Sequence, residues 1–247
     1  MRKICIINQK GGVAKTTTTV NLASCLANKG KRVLVIDLDP QGNIATCLFA
    51  HGEKTLYDVL VNDADPLDCV ISVNENLDVL ISDSSLSKAE LIMSGQTSRE
   101  TILKRKLEPI FNYDYIIIDC PPSLSLLTIN ALMYANEAFV PVSTNFLALD
   151  ALKKIAGTIE EINELFSHDI KITTVIPTLF DKRNKSNVSI LNEIKRGYDE
   201  LVTNPIRINS KLGEAPSVGK TIFEYAKRSR GAEDYTKLTQ MVISNEY

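Results

Sequence analysis

The sequence predicts an α/β fold, a mostly parallel, twisted β-sheet with helices on both faces. Three observations carry that expectation. Short runs rich in Val, Ile and Leu recur along the chain, and most are apolar throughout rather than alternating, as strands buried on both faces are. Stretches with helical periodicity separate these runs. The first run leads through Gly11-Gly12 straight into a helix-forming segment.

The expected strands are Ile4–Asn8, Arg32–Ile36, Leu77–Ile81, Tyr115–Ile118, Ala138–Val142 and Ile172–Ile176. Between the first two, a helix over Lys15–Lys29 places Val20, Ala23 and Ala27 on one face and stops at Gly30, a residue suited to a helix end. Thr55 followed by Asp58 reads as an N-cap with its acidic partner at the third helical position. A long amphipathic helix is expected over Leu147–Phe166 and another from Gly231 to the end. No repeat, low-complexity segment or linker interrupts the chain. One domain over 1–247 is expected, with no helix-turn-helix extension before it.

The chain has 247 residues, 44% of them hydrophobic and 23% charged, so it can bury a sizeable core without crosslinks. Its five cysteines (Cys5, Cys25, Cys47, Cys69 and Cys120) are widely spaced and never form C-x-x-C. That pattern argues against a disulfide framework or zinc site and fits a reducing cytoplasm. No apolar run reaches the roughly 18 residues of a membrane span, and the N-terminus lacks the apolar stretch of a signal peptide. His51 and His168 fall outside every motif and read as incidental surface or loop residues.

The net charge of −2 hides an asymmetry. Between Lys182 and Arg230 stand eleven basic and five acidic residues, a surplus of +6 that leaves −8 on the rest. Lys182, Arg183, Lys185, Lys211, Lys220, Arg228 and Arg230 are candidates for a polyanion-facing surface. A solvated helix face has the same composition, and charge alone leaves both readings open.

The strongest motif is Gln9-Lys10-Gly11-Gly12-Val13-Ala14-Lys15-Thr16-Thr17, set between a strand and a helix. Such a junction converges backbone N–H groups and a helix N-terminus on phosphate oxygens. Lys15 is placed to reach the β/γ-phosphates of a nucleotide, and the Thr16 hydroxyl to ligate Mg²⁺. The strict G-x-x-x-x-G-K-[ST] pattern fails, because Gln9 and Ala14 occupy its two glycine positions. Two carboxylate-bearing segments support the site. Arg32–Ile36 delivers Asp37-Leu-Asp39-Pro-Gln-Gly at a strand's C-terminal end, where α/β sheets bind ligands. Tyr115–Ile118 delivers Asp119-Cys-Pro-Pro122.

The loop resembles the deviant Walker A motif K-G-G-x-G-K-T-T of the ParA/MinD superfamily. Asn8–Thr18, Asp37–Thr46, Tyr113–Asn130, Leu212–Lys220 and Arg228–Glu233 together resemble ParA/Soj-type chromosome or plasmid partitioning ATPases over nearly the whole chain. The resemblance implies a P-loop NTPase-like fold, ATP and Mg²⁺ as cofactors, and an ATP-dependent homodimer. Lys10 would cross to the partner's nucleotide, Asp39 would position the attacking water, Lys15 would join these two in catalysis, and Thr16, Asp39 and Asp119 would make up the Mg²⁺ site. It also implies non-specific binding to double-stranded DNA through Arg183 and Lys211, hydrolysis stimulated by a ParB-like partner, and a nucleoid-associated cytoplasmic location. Ala14 stands where the family usually has glycine, which would cost about 1 kcal/mol if the position needs a positive φ and could impair turnover. Arg207 stands where relatives often have proline, so no adenine ligand is assigned.

A MinD-like positioning ATPase shares the phosphate site but needs a basic amphipathic tail for membrane binding. Residues 231–247 carry only Lys237 against Glu233, Asp234 and Glu246, a balance anionic lipid would repel. Paired cluster cysteines and a terminal tyrosine cluster, marks of two other superfamily branches, are missing, since Tyr247 stands alone. A nucleotide-binding scaffold without turnover is the remaining alternative.

Overall fold

The computed structural model describes residues 1–245; Glu246 and Tyr247, which enter the tail arguments above, lie outside the described residues. Seven strands form one sheet: β1 (Arg2–Ile6), β2 (Val33–Asp37), β3 (Ile71–Asn74), β4 (Leu77–Leu80), β5 (Tyr115–Asp119), β6 (Glu137–Ser143) and β7 (Lys171–Thr178). Their order is β3-β4-β2-β5-β1-β6-β7, and every pairing is parallel except β3 with β4. The expected α/β class is what the chain adopts.

The central strands explain their own composition. Val33–Asp37 and Tyr115–Asp119 are buried at every position. Ile4, Ile6, Val33, Val35 and Ile117 face one core, packed by the helices Lys15–Ala27 and Arg230–Ser244. Cys5, Leu34, Ile36, Ile116 and Ile118 face the other, with Leu127 and Ala131 of the helix Leu126–Tyr134 and Leu152, Ile155 and Ile159 of the helix Ala148–Phe166. An apolar residue at every position is what a sheet covered on both faces requires.

Four sequence expectations are corrected. β3 was not foreseen: its four residues alternate half-buried with exposed at the sheet edge, too short and too polar for a search tuned to apolar runs. β1 ends at Ile6, two residues early, because Asn8 leaves the ladder and its side chain bonds the Pro141 carbonyl at 2.8 Å. The Lys15–Ala27 helix is buried all round rather than on one face. Its far side is covered by the C-terminal helices, with Asn21 Oδ1 accepting from Ile222 N at 2.9 Å and Thr18 meeting the Tyr235 hydroxyl at 3.1 Å. His168 is half-buried, and its Nε2 lies 3.0 and 3.1 Å from the Leu132 and Ala135 carbonyls, so it braces a helix end. At Thr55 the expected capping box is present in full.

Candidate nucleotide site

β1 and β5 are neighbours, yet β1 leads to a strand on one side of the pair and β5 to a strand on the other. The crevice at the C-terminal ends of strands diverging in this way is where open α/β sheets take ligands. The loop between β1 and Lys15 fills it. Lys10 N donates to Asn8 Oδ1 at 2.9 Å, and Thr178 Oγ1 donates to the Val13 carbonyl at 3.1 Å. The loop is thus pinned from β6, through the Asn8 bond to Pro141, and from β7.

Gly12 and Ala14 both take left-handed conformations, with φ of 71° and 67°. Gly12 does so freely. Ala14 carries a side chain into a region costing L-residues on the order of 1–2 kcal/mol. The positive φ anticipated for this position is therefore real, and alanine adopts it. Ala14 then opens the helix, its carbonyl accepting from Thr18 N at 2.9 Å.

The charged groups behind the loop are buried. Lys15 is 7% exposed, and its Nζ donates to the Lys10 carbonyl at 3.2 Å. Desolvation pulls its ammonium pKa down, opposed by the charge of Asp119. Asp119 is fully buried at the end of β5 and accepts from Thr16 Oγ1 at 2.6 Å and Thr19 Oγ1 at 3.0 Å. Burial pushes its carboxyl up to about 6 despite those bonds. Asp37 sits beside it in register on β2 and is raised as well, first by burial and then by the Asp119 charge. Asp37 accepts from Asp39 N at 3.0 Å and Ile44 N at 3.1 Å, so it shapes the segment that presents Asp39. Asp39 itself is 9% exposed; its Oδ1 accepts from Gln41 N at 3.0 Å and its carbonyl from Ser82 Oγ at 2.6 Å.

Lys10 is half-buried, and its Nζ rests on Asn145 Oδ1 of the same chain at 3.2 Å. Phe146, next in sequence, is 88% exposed, and Leu147 is 49% exposed. Gly11, Gly12, Val13, Ala14, Thr16 and Thr17 complete the loop, with Val13 buried and the two glycines open to solvent.

Sequence reasoning placed Asp37 at the site without a role, and it missed Asn8, Thr19, Ser82, Asn145 and Thr178 as builders of it. The signal for Asp37 was its place at the close of a wholly apolar strand, as for Asp119. Thr178 and Asn145 had none, because only the β6–β7 pairing brings them to the loop.

The candidate DNA residues are all exposed. Lys182, Arg183 and Arg230 gather with Phe180, Asp181 and Arg207 around one cavity of about 330 Å³. Lys185, Lys211, Lys220 and Arg228 lie outside that lining. Arg207 is already paired: its side chain bonds Asp234 at 2.6 Å and Glu233 at 2.7 Å, and Asp234 also takes its backbone N–H at 2.9 Å. An ion pair thus ties this segment to the last helix.

Fold, pinned loop, buried lysine and facing carboxylate together define a phosphate-loop nucleotide-binding site. A family model described as an AAA domain matches residues 1–172. The sporulation initiation inhibitor protein Soj of Bacillus subtilis is 45% identical over 98% of both chains. The chromosome partitioning protein ParA of Caulobacter vibrioides is 39% identical over 100% of this chain and 95% of its own. Among solved structures, cobyrinic acid a,c-diamide synthase of Mycobacterium smegmatis with a bound ATP analog and magnesium is 30% identical, with a TM-score of 0.84 over 98% of this chain and 94% of that one. The chain belongs to the Soj/ParA family of chromosome-partitioning ATPases.

Proposed function

We propose that the chain is a DNA-partitioning ATPase that closes as a homodimer around Mg-ATP, binds DNA without sequence preference in that state, and hydrolyses ATP when a ParB-like partner engages it. The observation that carries the reading is the pinned loop from Lys10 to Thr17, backed by a buried lysine and a buried carboxylate.

The site suits a magnesium nucleotide. A threonine hydroxyl beside a carboxylate is a set of hard oxygen donors, and no described cluster of three or more His, Cys, Asp or Glu side chains offers the full cage a tighter-binding metal would take. Magnesium takes few protein ligands and fills its shell with phosphate oxygens and water. Thr16 and Asp119 would hold it, with Asp39 nearby, and when bound it would neutralise charge on the phosphates. Loop N–H groups and Lys15 hold the phosphates. Asp39, whose Oδ2 has no hydrogen-bond partner among the described residues, orients the attacking water. Lys10 leaves Asn145 to meet the nucleotide of the partner subunit, and exposed Phe146 and Leu147 flank that route as a patch for the second copy.

The membrane-directed alternative loses support from the last helix. Tyr235, Leu238 and Val242 bury its apolar face in the core. No described helix is long and apolar enough to cross a membrane.

The test is oligomeric state and DNA binding measured side by side with Mg-ATP, with ADP and without nucleotide. Dimerisation and DNA binding in the ATP state alone are expected. Asp39→Ala should still bind ATP, dimerise and hold DNA, while partner-stimulated phosphate release is lost. Normal stimulated release in that variant rules out the catalytic role of Asp39, and joint loss of ATP binding and stability reduces it to a brace for the Pro40–Gly42 turn.

A further inference from the structure

Two of the cations expected to touch DNA differ from the rest. The side chains of Lys182, Lys185, Lys220, Arg228 and Arg230 make no hydrogen bond or salt bridge among the described residues. Arg183 and Lys211 are each held by a carboxylate two or three residues away. Arg183 Nε donates to Asp181 Oδ1 at 3.0 Å and Nη2 to Oδ2 at 2.7 Å, a side-on fork of the kind that grips phosphate. Lys211 Nζ donates to Glu214 Oε2 at 2.7 Å.

These carboxylates are fixed by more than the cations they hold. Asp181 N donates to Asn187 Oδ1 at 3.0 Å, and Asn187 Nδ2 donates to the Thr144 carbonyl at 2.6 Å. Asp181 also accepts the Arg183 backbone N–H at 2.9 Å. Glu214 Oε2 accepts from the Tyr225 hydroxyl at 2.8 Å. Both acids therefore stay put when a phosphate draws the cation away. Both also stay ionised: the bonds from Arg183 hold Asp181 down to about 2, and those from Lys211 and Tyr225 hold Glu214 below its ordinary value.

We propose that Asp181 and Glu214 are built-in competitors for DNA phosphate, each occupying one DNA-contacting cation and so capping the affinity of the ATP state. The inference rests on the DNA-binding reading above and names the residues that tune it. The pairs are exposed, with 85% of the Arg183 side chain and 48% of the Lys211 side chain open to solvent. Exposed pairs contribute little to stability, so they open readily. Phosphate and carboxylate compete for the same N–H donors, so DNA binding pays an opening cost at each protomer. A protein that must leave DNA after hydrolysis gains from such a ceiling.

The competing possibility has the opposite sign: a carboxylate that holds Arg183 in a phosphate-ready rotamer would aid binding. Asp181→Asn and Glu214→Gln separate the two. Each keeps the shape of the side chain and removes the charge. With Mg-ATP and a labelled mixed-sequence duplex, each variant is expected to bind about threefold more tightly per protomer and about tenfold as a dimer, the gain shrinking as salt rises. The gain from Asp181→Asn should be smaller in an Arg183→Ala background, and that from Glu214→Gln smaller in a Lys211→Ala background. ATP affinity and melting temperature on the same preparations certify folding. If the wild type binds no DNA in the ATP state, the DNA reading falls and this inference with it. If the wild type binds and both variants bind equally or less tightly, the carboxylates do not compete, and the inference alone is overturned. Gains that are identical in the alanine backgrounds overturn it too, because simple repulsion of DNA then explains them.

Discussion

The phosphate loop and the basic segment solve anion binding in opposite ways. At the loop, Lys15 is buried, its surroundings are fixed by Asn8 and Thr178, and Asp119 is fully buried behind it. In the basic segment every candidate cation is exposed, and two already hold a carboxylate. The first arrangement pays for order during folding and is ready for one ligand geometry. The second stays adaptable, so it can meet phosphates at any register along DNA and release them when conditions change. Specific chemistry goes with burial here, and reversible attachment with exposure.

Substitutions can break that contrast. The largest expected effect is Lys15→Ala, which removes a desolvated cation facing the phosphates and should weaken ATP binding by about 100-fold, equivalent to one charged hydrogen bond or slightly more. Titration calorimetry reads it, and unchanged affinity would place the nucleotide elsewhere. Next is Asp234→Asn. It leaves the Arg207 guanidinium without its buried partner and should cost about 2 kcal/mol in denaturant unfolding while ATP binding at the loop persists. Loss of less than half that amount would mean the ion pair does not secure the segment around Arg207.

Ala14→Gly probes the preorganised loop. Relief of the left-handed alanine, less the extra freedom of the unfolded glycine chain, should stabilise the protein by about 0.5–1 kcal/mol. If phosphate release also rises, the alanine methyl restrains turnover as well as straining the backbone. The smallest effect is expected of Arg183→Ala, about a threefold loss of DNA affinity per protomer, because the charge it removes is already half-spent on Asp181. A loss as large as that of Lys15→Ala at its own site would show that the basic segment is preorganised after all.

The class of fold and the heart of the loop were legible in the amino-acid order alone. Strands buried on both faces need apolar residues at every position, so Arg32–Ile36 and Tyr115–Ile118 could be read directly, and each ends in the carboxylate that matters. The loop was legible because Gly11, Gly12, Lys15 and Thr16 act through local backbone geometry, which neighbours in sequence control. Boundaries were less so: β1 stopped early through a side-chain bond from Asn8 to a strand more than a hundred residues away.

The rest depends on contacts between segments far apart in the chain. The all-round burial of the Lys15–Ala27 helix depends on C-terminal helices closing over it, which helical periodicity within the segment cannot report. Thr178 reaches Val13, and Asn145 reaches Lys10, through strand order alone. The count of basic residues between Lys182 and Arg230 gave a surplus, but whether a charge is free depends on where carboxylates fall in space. Arg207 is taken by Asp234 and Glu233, both outside that stretch, whereas Lys182 and Arg230 line an open cavity. Local conformation follows from local sequence because the forces that set it act over a few bonds; charge pairing and burial act through space, and only the folded chain fixes those distances.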